Sequence, residues 1–196
     1  MFTGIIESIG MLKKIQKEGS NTHFCIESSI SESLKIDQSV AHNGVCLTVT
    51  NIEGDCHWVT AIEETLSKSN LGEMSPGSQL NLERCMLNNG RFDGHIVQGH
   101  VDQVGKCENI VSQDGSWLID ISYDATQGNI TVEKGSITVN GVSLTCFNSA
   151  DDRFRVAIIP YTFDHTNFHL LKKGDSVNLE FDIIGKYVNR LLAQQR

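Results

Sequence analysis

Apolar and polar residues alternate with period two along most of this chain. "LTVTNI" at 47–52, "SQLNLER" at 78–84 and "DSVNLEF" at 175–181 put their apolar side chains on one face, the signature of half-buried strands. Asn43-Gly44 and Asn140-Gly141 lie between apolar runs and predict tight hairpins, because both central positions of such a turn need positive φ. Glu53-Gly54-Asp55 and Ala150-Asp151-Asp152 mark the next turns. Many short strands with frequent turns predict an all-β chain built on small closed barrels or sandwiches. Three stretches depart from this. Glu63 to Leu71 and Tyr161 to Leu171 read as corresponding helical passages, ending in turn chemistry at Gly77 and Gly174. From Ile183 to Gln194, apolar Ile184, Tyr187, Val188, Leu191 and Leu192 recur at helical spacing, which predicts an amphipathic helix. Its apolar face either packs on its own barrel or joins subunits.

The strand pattern occurs twice. "NGVCLTVT" at 43–50 is answered by "NGVSLTCF" at 140–147, with Cys46 replaced by Ser143. Sliding the chain by 97 residues lays 43–83 on 140–180 without a gap. The identities include Leu47/Leu144, Thr48/Thr145, Val59/Val156, Ile62/Ile159, Thr65/Thr162, Asn70/Asn167, Asn81/Asn178 and Glu83/Glu180. At an offset of 95, Gly4-Ile-Ile-Glu7 is echoed by Gly99-His-Val-Asp102. The organisation expected is therefore two tandem copies, 1–87 and 97–183, followed by a helix at 184–196. Asn88 to Gly94, rich in turn residues, is the joint. Two similar barrels imply two similar pockets, an arrangement suited to a ligand that is itself paired.

Composition narrows the partners. The chain has 196 residues and a formal net charge of −8 with no basic stripe, which argues against a nucleic acid. No window has the ~18 apolar residues of a membrane span, and Met1-Phe2-Thr3-Gly4 does not read as a leader, so a cytoplasmic protein is expected. The six cysteines show no C-x-x-C spacing and are expected as free thiols. His165 and His169 are spaced i, i+4 but have no third ligand in view, so no metal is expected. No G-x-G-x-x-G or Walker motif points to a nucleotide cofactor.

Several residues carry candidate chemistry. The Cys46 thiol can add to an electrophilic ring carbon or position the group that does, the alternative being a buried structural cysteine. His100, just past the joint, can move a proton, whereas His95 and His42 have weaker claims. Ser39, Thr48, Ser143 and Thr145 offer hydroxyls near each repeat's turn. Lys134 precedes the second phrase, and Asp182 ends the repeated strand where it can polarise a histidine or a nucleophile.

"MFTGIIE", "SVAHNGVCLTVT", "GHIVQGHVD" and "KGSITVNGVSLT", in this order and spacing, together resemble the riboflavin synthase family of the two-barrel, trimeric type. The resemblance runs from Met1 to the C-terminal helix. It implies two six-stranded Greek-key β-barrels plus a C-terminal α-helix that serves as a trimerisation element. It implies the dismutation of two molecules of 6,7-dimethyl-8-ribityllumazine by four-carbon transfer, giving riboflavin and 5-amino-6-(D-ribitylamino)uracil, without cofactor or metal. The site would form between the N-terminal barrel of one subunit and the C-terminal barrel of another in a homotrimer. Cys46, His100, Ser39 and Asp182 would be catalytic. The substrate would lie against Gly4, Ile5 and Ile6, against Cys46, Leu47 and Thr48, and along Thr60, Ala61, Ile62, Glu63, Glu64 and Thr65. Gly99, His100 and Val101 would join these. The second pocket would use Lys134, Ser143, Leu144 and Thr145, with Ile159, Pro160, Tyr161, Thr162, Phe163 and Asp164. Association with lumazine synthase is a further partner that no feature of the chain itself marks. The rival reading is a non-catalytic lumazine- or flavin-binding protein on the same barrels; such a binder would need one good pocket and no proton relay.

Overall fold

The computed structural model describes residues 1–194. Twelve strands form two closed antiparallel barrels. The first contains β1 (Ser8–Glu18), β2 (Asn21–Glu27), β3 (Ser39–His42), β4 (Val45–Glu53), β5 (Cys56–Ala61) and β6 (Gln79–Arg84). Its order around the barrel is β1-β2-β5-β4-β3-β6, so two strands separate β2 from β3, a Greek-key arrangement. The second repeats that order with β7 (Gln103–Gln113), β8 (Ser116–Ser122), β9 (Ser136–Val139), β10 (Val142–Phe147), β11 (Arg153–Ile158) and β12 (Ser176–Phe181). Closure leaves no free sheet edge in either barrel. The long first strand bends at matching places: register shifts fall between Leu12 and Lys14 on β1 and between Cys107 and Asn109 on β7. Such bulges let one strand pair on both sides of a small barrel.

The period-two pattern fills each interior. Leu12, Phe24, Ile26, Val40, Leu47, Val49, Val59 and Leu82 form the first core. Ile119, Ile121, Ile137, Val139, Phe154, Val156 and Leu179 form part of the second. The Asn-Gly hairpins form as expected, with Asn43 and Gly44 at φ of 48° and 80° and Asn140 and Gly141 at 46° and 82°. The two turns also abut. A β-carbon on Gly44 would lie 2.8 Å from the Gly141 nitrogen, and one on Gly141 would lie 2.7 Å from the Gly44 nitrogen. Only glycine permits that approach.

The repeated asparagines knit this seam. The Asn81 side chain donates to the Asn140 carbonyl and that of Asn178 to the Asn43 carbonyl, each at 2.9 Å. Their Oδ1 atoms accept the backbone N–H of Asn167 (2.7 Å) and Asn70 (2.6 Å). Each barrel thus satisfies buried polar groups of the other.

The two helical passages differ from the expectation of single helices. Each divides into α1 (Glu63–Lys68) or α2 (Pro160–His165) and a 3-10 turn at Asn70–Glu73 or Asn167–Leu170. Ser69 and Thr166 between them are extended. Their hydroxyls donate back to the Thr65 and Thr162 carbonyls (2.6 and 2.7 Å), closing the helix, and accept from Leu71 and Phe168, capping the next turn. The break turns Asn70 and Asn167 into the seam. It also removes the shared helical face proposed for His165 and His169, whose Nδ1 atoms bond to the Tyr161 and Thr166 carbonyls. Helix α3 (Ile183–Ala193) follows, capped by the Asp182 side chain accepting the Ile184 N–H at 2.9 Å. The expected span 184–196 includes two residues, 195 and 196, that lie outside the described ones. Ile184, Tyr187, Val188, Leu191 and Leu192 are 51–68% exposed, so within one chain the apolar face of α3 does not pack on a barrel.

Candidate functional site

Strand β4 leaves its hairpin with Val45 and Cys46, and α1 crosses nearby with Glu64, Thr65 and Lys68. The segment 99–101 closes the space, giving a cavity of about 300 Å³ lined by Val45, Cys46, Glu64, Thr65, Lys68, Ser69, Gly99, His100 and Val101. Six residues expected here from the sequence meet: Cys46, Glu64, Thr65, Gly99, His100 and Val101. The segment is pinned to the strand, because the Gly99 carbonyl accepts the Cys46 N–H at 2.8 Å. A β-carbon on Gly99 would lie 2.6 Å from the Cys46 Cβ, and its φ is 80°. Burial raises the pKa of the Cys46 thiol, with a hydrogen bond from Ser39 acting in the opposite direction. Cys46 is therefore a protonated, hydrogen-bonding thiol near neutrality rather than a ready thiolate. His100 is exposed at the rim of this cavity.

Not every expected residue offers its side chain. Leu47 and Ala61 face the barrel core. The Thr60 hydroxyl is paired with His23 Nδ1 at 2.8 Å. Ile62 and Glu63 stand exposed at the entry to α1, and Thr48 is exposed along β4.

The second copy has different chemistry at the matching position. Ser143 Oγ lies 2.6 Å from His95 Nδ1, and His95 Nε2 lies 3.2 Å from the Thr138 hydroxyl. Burial lowers the His95 pKa, partly offset by the Asp182 carboxylate. A neutral His95 that donates from Nε2 to Thr138 has Nδ1 free to accept the Ser143 proton. The Gly4 carbonyl accepts the Ser143 N–H at 2.8 Å, so the chain start lies on this strand, as 99–101 lies on β4. Sequence reasoning ranked His95 below His100, since nothing in "DGHIV" shows that the ring reaches the second copy.

The remaining candidates spread around this face. Leu144 and Phe163 pack against the second core, with Phe163 stacked on Trp117 at 3.7 Å. Ile159 and Tyr161 are exposed. The Lys134 ammonium lies over the Phe147 ring, 5.1 Å from its centroid. Pro160 opens α2 at a position that needs no N–H. Among the described residues no group of three His, Cys, Asp or Glu side chains could hold a metal ion. No helix among them is long and apolar enough to cross a membrane.

Comparison with known proteins meets this geometry. The lumazine-binding domain model matches twice, at residues 3–85 and 98–182. A riboflavin synthase of Actinobacillus pleuropneumoniae is 41% identical over 196 residues, covering 100% of this chain and 91% of that one. One from Bacillus subtilis is 40% identical over 193 residues, covering 98% and 90%. Among solved structures, LumP complexed with riboflavin superposes with a TM-score of 0.85 at 27% identity, covering 93% of this chain and all of that one. LumP complexed with 6,7-dimethyl-8-(1'-D-ribityl) lumazine gives 0.83 at 26%, covering 92% and 98%. With two lumazine-binding repeats and full-length similarity of this degree, the chain belongs to the riboflavin synthase family.

Proposed function

We propose that the protein dismutates two molecules of 6,7-dimethyl-8-ribityllumazine into riboflavin and 5-amino-6-(D-ribitylamino)uracil, with unequal roles for its two copies. The observation that carries this is the difference at one repeated position. Cys46 is a half-buried thiol lining a cavity with the exposed His100, whereas Ser143 is a hydroxyl already hydrogen-bonded to a histidine. A four-carbon transfer between identical molecules needs such asymmetry, because one must lose the unit that the other gains. The conjugated ring of the substrate stabilises the anion left by deprotonating its 7-methyl group. The protein is left to hold two rings together and to move protons. Positioning alone can supply about 7–11 kcal/mol of barrier lowering in ideal cases.

In this reading, His95 draws the proton of Ser143 as the hydroxyl or a bound water attacks, and Asp182 favours the imidazolium that results. Cys46, with Ser39, orients the second molecule, and His100 exchanges protons with it. The backbone of 4–6, 60–65 and 159–164, with Thr48, Thr145 and Lys134, borders the ring edges and ribityl chains. The exposed Ile62, Ile159 and Tyr161 and the bare apolar face of α3 support sites completed between subunits of a homotrimer. The six free cysteines suit a reducing cytoplasm.

The test is incubation of the protein with 6,7-dimethyl-8-ribityllumazine and chelator, following riboflavin absorbance and quantifying both products. One riboflavin per two lumazines consumed is expected. Binding without turnover would overturn the reading and leave the rival, a lumazine- or flavin-binding protein.

A further inference from the structure

One repeated pair is absorbed neither by the cores nor by the pocket chemistry: Glu83 and Glu180, both buried at the ends of β6 and β12. Glu180 Oε1 accepts the Gln98 N–H at 2.7 Å, and Oε2 accepts those of Gly99 and His100 at 2.9 and 3.0 Å. Glu83 Oε1 accepts the Thr3 N–H at 2.7 Å and its hydroxyl at 3.1 Å, and Oε2 accepts the Gly4 N–H at 3.0 Å. Each carboxylate gathers successive amides of a segment outside the twelve strands, and the two segments meet at the Phe2–Val97 bridge and the His95 N–H to Thr3 carbonyl bond beside it.

The gripped segments then cross over. The one held by Glu180, in the second barrel, leans on the first: Gly99 pins Cys46, and Val101 packs on the first core. The one held by Glu83, in the first barrel, leans on the second: Gly4 pins Ser143, and Ile6 packs on the second core. Neither glycine leaves slack, since a β-carbon on Gly4 would lie 2.6 Å from the Ser143 Cβ, as one on Gly99 would from the Cys46 Cβ.

We propose that Glu83 and Glu180 are crossed positioning residues, each setting the pocket wall of the barrel it does not belong to. Glu180 fixes the backbone that presents His100 beside Cys46, and Glu83 fixes the chain start over Ser143. The inference rests on the reading of these two places as the ligand pockets. A carboxylate suits the task because it only accepts, through two oxygens, so several N–H groups converge on it without conflict. Glutamine has the same size but turns one of those acceptors into a donor facing N–H groups.

Glu180→Gln and Glu83→Gln test this by riboflavin titration in ¹H–¹⁵N correlation spectra, read pocket by pocket. In Glu180→Gln, affinity reported by the amides of Cys46, Thr65 and His100 should weaken about tenfold, the loss of one charge-assisted contact, while that reported by Ser143 and Thr145 stays within about twofold. Glu83→Gln should show the reverse. A uniform loss at both pockets, no loss at either, or loss in the same barrel as the variant would overturn the inference, because a merely structural anchor gives no crossed pattern. Should a glutamine variant fail to fold, Glu180→Asp and Glu83→Asp, which keep the charge, are titrated in the same way with the same crossed pattern expected. A wild-type protein whose Cys46, Thr65 and His100 amides ignore riboflavin overturns the pocket assignment itself before any variant is read.

Discussion

At the scale of single residues, the exchange of Cys46 for Ser143 changes what one position can do. The thiol is held protonated by burial, whereas the hydroxyl has a neutral imidazole 2.6 Å away. Ser143 and His95 should therefore act as one unit. Replacing Ser143 by Ala or His95 by Gln is expected to lower kcat by about 10²-fold, within the range for positioned acid–base groups. The double variant should be no slower than the worse single one, since groups acting as a unit are not additive. Steady-state turnover of the four proteins closes the cycle, and additive losses would separate the two roles. The sequence showed both residues but not their meeting, because they lie 48 positions apart and only barrel closure brings them together. Cys46 and His100 were legible as candidates from their flanking phrases. The orientation of Leu47 and Ala61 into the core followed from strand alternation and could have been subtracted in advance.

At the scale of elements, the two barrels differ inside. The first holds His42 on β3 and His57 on β5, with Nε2 atoms 2.9 Å apart. The second has Val139 and Phe154 at the matching positions, both in its core. His42 Nδ1 donates to the Val40 carbonyl, so its Nε2 accepts from His57, whose Nδ1 accepts from Ser31. Every polar atom on this path is satisfied only when both rings are neutral. Burial accordingly lowers the pKa of His42 to about 3 and that of His57 to about 4. Unfolded, each ring takes up a proton below about pH 6.5. The stabilisation is therefore complete above that pH and is lost as pH falls toward 4, with a slope approaching about 2.7 kcal/mol per unit if both rings charge on unfolding. Burial raises the pKa of Glu83 and Glu180, an effect of opposite sign that both barrels share. Against the second barrel lies one imidazole of the same sign, His95, whose pKa burial also lowers. Asp120 and Asp124, held low by their hydrogen-bond partners, stay ionised at pH 5 whether folded or not, so the first barrel is set apart by carrying two buried imidazoles. Trp58 on β5 and Trp117 on β8 report one barrel each. Urea unfolding at pH 5 should show the Trp58 barrel failing first, and His42→Val with His57→Phe should remove the lag. Coincident transitions at pH 5 in the unmodified protein would refute this. The offset of 97 made the substitutions visible in the sequence, whereas their contact across β3 and β5, which are not neighbours in the sheet, was not.

At the scale of the whole molecule, duplication builds a seam and leaves a face bare. The register of 43–83 on 140–180 predicted two like barrels, but the reason Asn43, Asn70 and Asn81 recur appears only where the copies meet. Hairpin chemistry accounted for Asn43 alone. The other two read as ordinary polar positions, because a side chain that bonds the opposite barrel leaves no periodic trace. The seam ties the two barrels together through buried hydrogen bonds, so in the proposed reaction what remains is how two substrates come face to face. The apolar stripe of α3 bears on this. The helix that carries it is capped by Asp182, whose charge acts on His95, and Lys186 on the same helix binds Asp102 at 2.7 Å, next to Val101 of the Cys46 cavity. Tyr187 and Leu191 lie on the exposed stripe. Changing both to Glu charges the stripe and leaves Lys186, Asp102 and the two pockets in place. If α3 joins subunits, light scattering should show the variant as a single chain of 21.7 kDa. Each pocket should still bind riboflavin, because no wall has moved. Turnover should fall by at least about 10²-fold, since the reaction would again depend on random encounter of two bound molecules. A monomer that keeps its turnover would place both substrates within one chain, and the exposed Ile62, Ile159 and Tyr161 would then need another partner. Retained assembly would mean that the subunits meet through some other surface. Lost assembly with intact binding and failed catalysis is the combination expected of pockets completed between neighbours.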